Sequence, residues 1–206
     1  KNNQQKIVVR QYFYGDKDGA QIFNAFVNSF NKPGWKINKQ KYWTEVVSTN
    51  GRVSIYSNTP LDEKNELDIK AQDSLTRYLT AQQIRPSIYV HRGHSYYANH
   101  TIAGIDSSAK LVLLGSCGGY QKLANVLSRA PKAQVISSKQ IGKGVINAAL
   151  LSQIAETLEK GQDLAWRNIW KQMNARLTGA AKTSFQDYIP PYKNLGLLLL
   201  KAFNNN

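Results

Sequence analysis

A single cysteine and three histidines are the residues of this chain best suited to covalent chemistry. Cys117 stands in the sequence Gly-Ser-Cys-Gly-Gly, and His91, His94 and His100 all precede it. A cysteine attacks as the thiolate, and a neighbouring imidazole can form that thiolate by accepting the thiol proton. Backbone N–H groups of a glycine-rich turn can bind the oxyanion of acyl transfer. These residue types indicate a hydrolase with a cysteine nucleophile and a histidine base.

Each half of this candidate site follows a short apolar run. Residues 88–90 lead into the first two histidines, and residues 111–114 lead into the cysteine. Runs of this length, bounded by Gly and Pro, predict buried parallel strands. In an open α/β sheet, reactive groups collect at the carboxyl ends of the strands. The histidine-bearing and cysteine-bearing strand ends are therefore expected side by side.

The remaining pattern predicts the scaffold that positions these strands. Strand patterns alternate with helical patterns, which predicts a single α/β domain, a three-layer α/β/α sandwich around a mainly parallel sheet. Its core is expected at 6–177, with a C-terminal extension at 178–206. Asn50-Gly51 predicts an extra β-hairpin near 44–57, at a sheet edge or over one side. A helix is expected to start at Thr59–Asp62, with Pro60 at its first position.

Composition excludes several classes of protein. The 206 residues are 42% hydrophobic and 19% charged, as in a globular domain. No apolar run approaches the roughly 18 residues that a membrane span needs. One cysteine rules out an internal disulfide and a zinc site built on several thiolates. No metal or organic cofactor is expected.

The net charge of +14 would attract anionic partners. The basic residues are scattered, however, and no zinc-finger or RNA-binding motif is present, so a nucleic-acid partner is not expected. The chain begins at Lys1 rather than Met. An extracytoplasmic location after removal of a secretory signal would fit this start, although no residue here shows such a signal.

The turn around the cysteine also fits the nucleophile elbow, with Cys in place of Ser. The α/β-hydrolases and cysteine amidotransferases that use this turn place their histidine after the nucleophile. Here all three histidines come before Cys117. The order of the residues therefore counts against those families.

In its order of motifs, the chain resembles the clan CD cysteine peptidases: caspases, legumain, clostripain, gingipains, separases and CHAT domains. These carry a hydrophobic strand ending in His, then a second hydrophobic strand ending in a small residue and Cys. The matching residues are 88–94 and 111–117, and Gly93-His94-Ser95 resembles the histidine turn of gingipains. The resemblance implies a caspase-like fold and a cysteine endopeptidase acting on a peptide or protein substrate.

The resemblance also implies roles for individual residues. Cys117 would be the nucleophile and His94 the general base, with His91 as the alternative base. The oxyanion hole and site turn would involve the N–H of Cys117 and the turns that carry Gly93, Ser95, Ser116 and Gly118. Further candidates for the substrate pocket are Asp106, Ser137, Ser138 and Lys139.

One departure from the family keeps other interpretations open. The family places glycine directly after the histidine, whereas Arg92 follows His91 and Ser95 follows His94. The second interpretation is therefore a catalytically inactive caspase-like module that binds a peptide or protein partner. A third is a basic protein that binds nucleic acid or another anion, whose affinity would fall with salt.

Overall fold

The computed structural model of the protein describes residues 6–204, apart from the side chains of Glu63 and Asn204. Lys1, on which the expected processing rests, lies outside them. The strands are β1 (Ile7–Phe13), β2 (Trp35–Lys39), β3 (Trp43–Ser48), β4 (Val53–Asn58), β5 (Ile88–Arg92), β6 (Leu111–Leu114), β7 (Gln134–Ser138) and β8 (Tyr188–Ile189). The helices are α1 (Gly19–Ser29), α2 (Leu67–Ala81), α3 (Ala98–Ala103), α4 (Leu123–Arg129), α5 (Gly144–Glu159), α6 (Trp166–Arg176), α7 (Gly179–Phe185) and α8 (Leu195–Asn204).

The eight strands form one sheet in the order β2-β3-β4-β1-β5-β6-β7-β8. The five central strands, from β4 to β7, run parallel to one another. The pairs β2-β3, β3-β4 and β7-β8 are antiparallel. The prediction of an α/β fold is confirmed. The sheet is mixed: helical crossovers join β4 to β5, β5 to β6 and β6 to β7, whereas short turns join β2 to β3 and β3 to β4 as antiparallel pairs.

Helices cover both faces of this sheet. The apolar residues of α1, α5, α6 and α7 pack on one face, together with Val9 and Ile55. The other face carries two clusters, one with α3, α4 and α8 and one with α2. Strand side chains alternate between the faces, so Val8 and Val9 belong to different clusters. The parallel strands are buried from both sides, as their apolar sequences predict.

The β-hairpin forms where Asn50-Gly51 predicts it. β3 and β4 pair antiparallel with Trp43 opposite Asn58, and Gly51 takes the left-handed conformation at φ +74°. The hairpin does not end the sheet or pack over it, because β4 pairs with β1 and β2 extends the sheet beyond β3. It is therefore an integral part of the sheet.

The predicted helix start at Thr59–Asp62 is wrong. The Asp62 carboxylate accepts hydrogen bonds from the N–H of Lys64 at 3.0 Å and from Asn65 at 2.6 Å. These bonds stabilise a short 3-10 turn at Glu63–Asn65. Glu66 then adopts a left-handed φ of 55°, so the α-helix begins only at Leu67.

The C-terminal segment beyond residue 177 adds to the core of the domain. Phe185 and Tyr188 are buried in the cluster that covers one face of the sheet. Ser138 pairs with Tyr188, which adds β8 as the edge strand beside β7.

No helix in the described part of the chain is long and apolar enough to cross a bilayer.

Candidate functional site

The two strands that carry the candidate residues are neighbours in the sheet. β5 and β6 pair in parallel, with His91 opposite Leu114. The carboxyl ends of both strands therefore lie on the same side of the sheet. The expectation of adjacent His- and Cys-bearing strand ends is confirmed. A cleft of about 130 Å³ lies at this edge, and both His94 and Cys117 line it.

Two further parts of the chain and the end of β5 itself close the cleft. The turn between β1 and α1 contributes two carboxylates, the end of β5 contributes an arginine, and the start of α5 contributes glycines and an amide. The lining residues other than His94 and Cys117 are Asp16, Asp18, Ile22, Arg92, Gly93, Gly115, Ser116, Gly142, Gly144 and Asn147.

The cysteine turn is built on glycines that the packing requires. A Cβ on Gly115 would lie 1.7 Å from Asn147 Oδ1, and one on Gly119 would lie 2.2 Å from the Leu114 carbonyl oxygen. Gly118 has a φ of +65°, a conformation that favours glycine. This turn presents Cys117 as an exposed, free thiol at the cleft.

His94 lies on the facing turn and has an acidic neighbour. Its imidazole is about half exposed, and Nε2 lies 4.0 Å from Asp16 Oδ2. The Asp16 side chain is 4% exposed, and Oδ2 has no hydrogen-bond partner. The ring also stacks on Tyr96, with ring centres 5.5 Å apart. A buried carboxylate thus faces an imidazole in the same cleft as the thiol.

His91, the alternative base, points into the protein. Its Nε2 lies 3.1 Å from the His94 carbonyl oxygen, and its Nδ1 lies 2.7 Å from Thr101 Oγ1. A carbonyl only accepts, so we assign the proton to Nε2, and Nδ1 accepts from Thr101. Burial lowers the pKa of His91 to about 4, which keeps the ring neutral at pH 7. His91 therefore holds the turn that carries His94.

Arg92 lies on the opposite face of β5 and lines the cleft. It is 4% exposed, and its guanidinium stands 5.5 Å from the centre of the Phe13 ring. Burial lowers its pKa to about 10, so it remains a cation at neutral pH. Nη1 has no hydrogen-bond partner, and no carboxylate in the described part of the chain forms an ion pair with it. A buried cation in this state favours an anion in the cleft.

The predicted site-turn residues differ in what they can still bind. The N–H of Gly118 donates to the Gln140 carbonyl at 2.9 Å, so this donor is already used. Ser116 is buried in the cleft wall, and its Oγ has no hydrogen-bond partner. Gly93 lines the cleft, and Ser95 begins a 3-10 turn next to it.

The structure places the other predicted pocket residues outside this cleft. Ser137 and Ser138 are fully buried in β7, and Ser138 Oγ donates to the Ser116 carbonyl oxygen. Lys139 lines a separate cavity of about 380 Å³. Asp106 lies before β6, near the opposite end of the parallel strands, in a cavity of about 800 Å³. His100 is exposed on α3, also away from the cleft.

Two residues distant in sequence fix the cysteine turn. Asn147 Nδ2 donates to the Gly115 carbonyl at 3.1 Å, and the Tyr188 hydroxyl donates to Asn147 Oδ1 at 2.9 Å. Burial raises the pKa of Tyr188, so its hydroxyl stays protonated. Neither residue has a sequence signal that points to this site. Asp16 does have one, because it follows β1, whose carboxyl end meets those of β5 and β6.

The described residues contain no group of three or more His, Cys, Asp or Glu side chains arranged to hold a metal ion. Comparisons of the chain with protein-family models, with curated proteins and with solved structures found no match.

Proposed function

We propose that the protein is a cysteine endopeptidase of the caspase-like, clan CD type, with a caspase-like α/β/α sandwich as its fold. The proposal rests on one observation: His94 and Cys117 line the same cleft, at the ends of adjacent parallel strands. The order of the two strands along the chain agrees with that family, and the exposed thiol is accessible to a substrate.

The proposed reaction uses one thiol and one imidazole. His94 accepts the proton of Cys117 Sγ, and the thiolate attacks the peptide carbonyl carbon. The tetrahedral intermediate collapses, the C–N bond breaks, and His94 gives its proton to the leaving amine. Water then attacks the thioester, with His94 again taking the proton, which releases the acid and restores the thiol.

Other groups would support this reaction without exchanging protons. The N–H of Cys117 and the backbone of the turn at Gly93–Ser95 would bind the oxyanion, since the N–H of Gly118 is engaged. Asp16 would stabilise the protonated imidazole of His94 through its charge. His91 would act as a positioning residue through its bond to the His94 carbonyl.

The test is hydrolysis of a labelled unfolded protein, with alkylation of Cys117 by iodoacetamide followed by mass spectrometry. We expect Cys117→Ala to abolish hydrolysis and His94→Ala to lower it at least about 100-fold, the usual contribution of acid–base catalysis. The matched control is His100→Ala, which removes an exposed histidine outside the cleft and should keep full activity. Hydrolysis that persists in Cys117→Ala would overturn the proposal.

The rival function is a non-catalytic module that binds a peptide or protein. The hydrogen bond from Gly118 to Gln140 favours it, because this bond removes one donor from the candidate oxyanion hole. In that case Cys117 would react with iodoacetamide without any turnover, and binding of a peptide would survive Cys117→Ala.

A further inference from the structure

A second cavity, of about 800 Å³, lies on the sheet face covered by α2, α3 and α4. Pro86 and Tyr89, at the start of β5, line it, whereas the cysteine cleft lies at the other end of that strand. Its volume is within the range of small-molecule sites, roughly 300–1,000 Å³. We propose that this cavity binds a small polyanion that carries phosphate or carboxylate groups.

Arg10 forms the floor of the cavity and is the main support for the proposal. It is 1% exposed, and its guanidinium stands 4.6 Å from the centre of the Tyr12 ring. Nη2 donates to the Gln72 carbonyl at 3.1 Å, but Nη1 has no hydrogen-bond partner. No carboxylate among the side chains that the structure describes is within ion-pair distance of it. A buried guanidinium in this state favours a ligand that brings the negative charge.

Two more arginines, Arg85 and Arg129, stand at the rim and are exposed. Asp106 is the acidic residue that lines the cavity, and its carboxylate accepts the N–H of Ser108 at 2.8 Å. Three cations thus face one carboxylate that is already bound within its own turn.

The placement of the arginines, one buried and two exposed, narrows the class of ligand. A guanidinium binds phosphate or carboxylate through two parallel N–H donors. Arginines on the floor and on the rim of a cavity of this volume suit several anionic groups on one molecule better than a single small ion.

The test is calorimetric titration of the whole protein with tripolyphosphate and, separately, with citrate at constant ionic strength. We expect saturable binding of at least one of them in the wild type. The double variant Arg85→Gln/Arg129→Gln should weaken that binding at least about tenfold. The matched control, Lys160→Gln/Lys171→Gln, loses the same charge at exposed positions on the other face and should bind within about twofold of wild type.

Each outcome decides the question. Binding of tripolyphosphate alone assigns the site to phosphate compounds, and binding of citrate alone assigns it to carboxylates. The absence of saturable binding would overturn the proposal. An equal loss of affinity in the control variant would also overturn it, because it would show only a general attraction of anions to a basic protein. The test replaces only the exposed arginines at the rim, because substitution of the buried Arg10 would also change the stability of the fold.

Discussion

The imidazole of His94 and the carboxylate of Asp16 face each other across the cleft, with Nε2 and Oδ2 4.0 Å apart. The strand ends bring this pair together, since Asp16 follows β1 and His94 follows the neighbouring β5. The Asp16 carboxylate is buried, whereas the His94 imidazole is half exposed. The negative charge therefore acts on the ring from the side that faces the protein interior.

Replacement of Asp16 tests whether this charge assists His94. Asp16→Asn keeps the size of the side chain and removes an attraction worth about 1 kcal/mol for a partly exposed pair. We expect the rate of Cys117 alkylation and of peptide hydrolysis to fall about fivefold. Asp18→Asn is the control, because Asp18 lines the same cleft without an ion pair to His94 among the described residues. Equal effects of the two variants would show that only the total charge matters.

Arg92 should give the cleft a preference for anions. We expect the ratio of the iodoacetate rate to the iodoacetamide rate at Cys117 to exceed that of a free small thiol by about fivefold, because the buried cation attracts the carboxylate. Arg92→Gln should remove this advantage, while Arg85→Gln, which removes a cation from the other cavity, should not. A ratio that does not change in Arg92→Gln would mean that Asp16 and Asp18 dominate the field in the cleft.

His91 should make the folded state sensitive to acid. Its pKa falls from 6.5 to about 4 on folding, so the unfolded chain binds more protons between these pH values. Stability is therefore lost as the pH falls through this window, by roughly 2 kcal/mol between about pH 7 and pH 4.5. Urea unfolding at both pH values should show a smaller loss for His91→Gln than for wild type. An identical loss in both proteins would assign the acid sensitivity to carboxylates alone.

Gly93 should be required by packing rather than by its backbone conformation. A Cβ at this position would lie 2.4 Å from Cδ2 of Tyr14, whose hydroxyl bonds Thr101 in the network that holds His91. We expect Gly93→Ala to lower the free energy of unfolding by about 1–3 kcal/mol, the usual cost of overpacking. Gly144→Ala is the control, because its Cβ would have no neighbour closer than 3.6 Å. A neutral Gly93→Ala would mean that Tyr14 moves freely.

Local sequence patterns determined much of the secondary structure. The Asn50-Gly51 turn and the two apolar runs before His91 and Cys117 form the predicted elements. The helix predicted to start at Thr59–Asp62 does not start there, because the Asp62 carboxylate accepts hydrogen bonds from Lys64 and Asn65. Such competition between side chain and backbone is not visible in a capping pattern.

By itself, the sequence predicted that the histidine-bearing and cysteine-bearing strand ends would lie side by side, because the carboxyl ends of parallel strands meet on the same side of an α/β sheet. Only the tertiary structure decided which imidazole lines the cleft with the thiol, since His91 is buried and bonded to Thr101 and to the His94 carbonyl, whereas His94 is half exposed. It also decided the polar contacts of the cysteine turn, because Asn147 and Tyr188 reach that turn through the packing of α5 and the pairing of β8 with β7. Contacts between distant segments depend on the whole fold, and no local pattern encodes them.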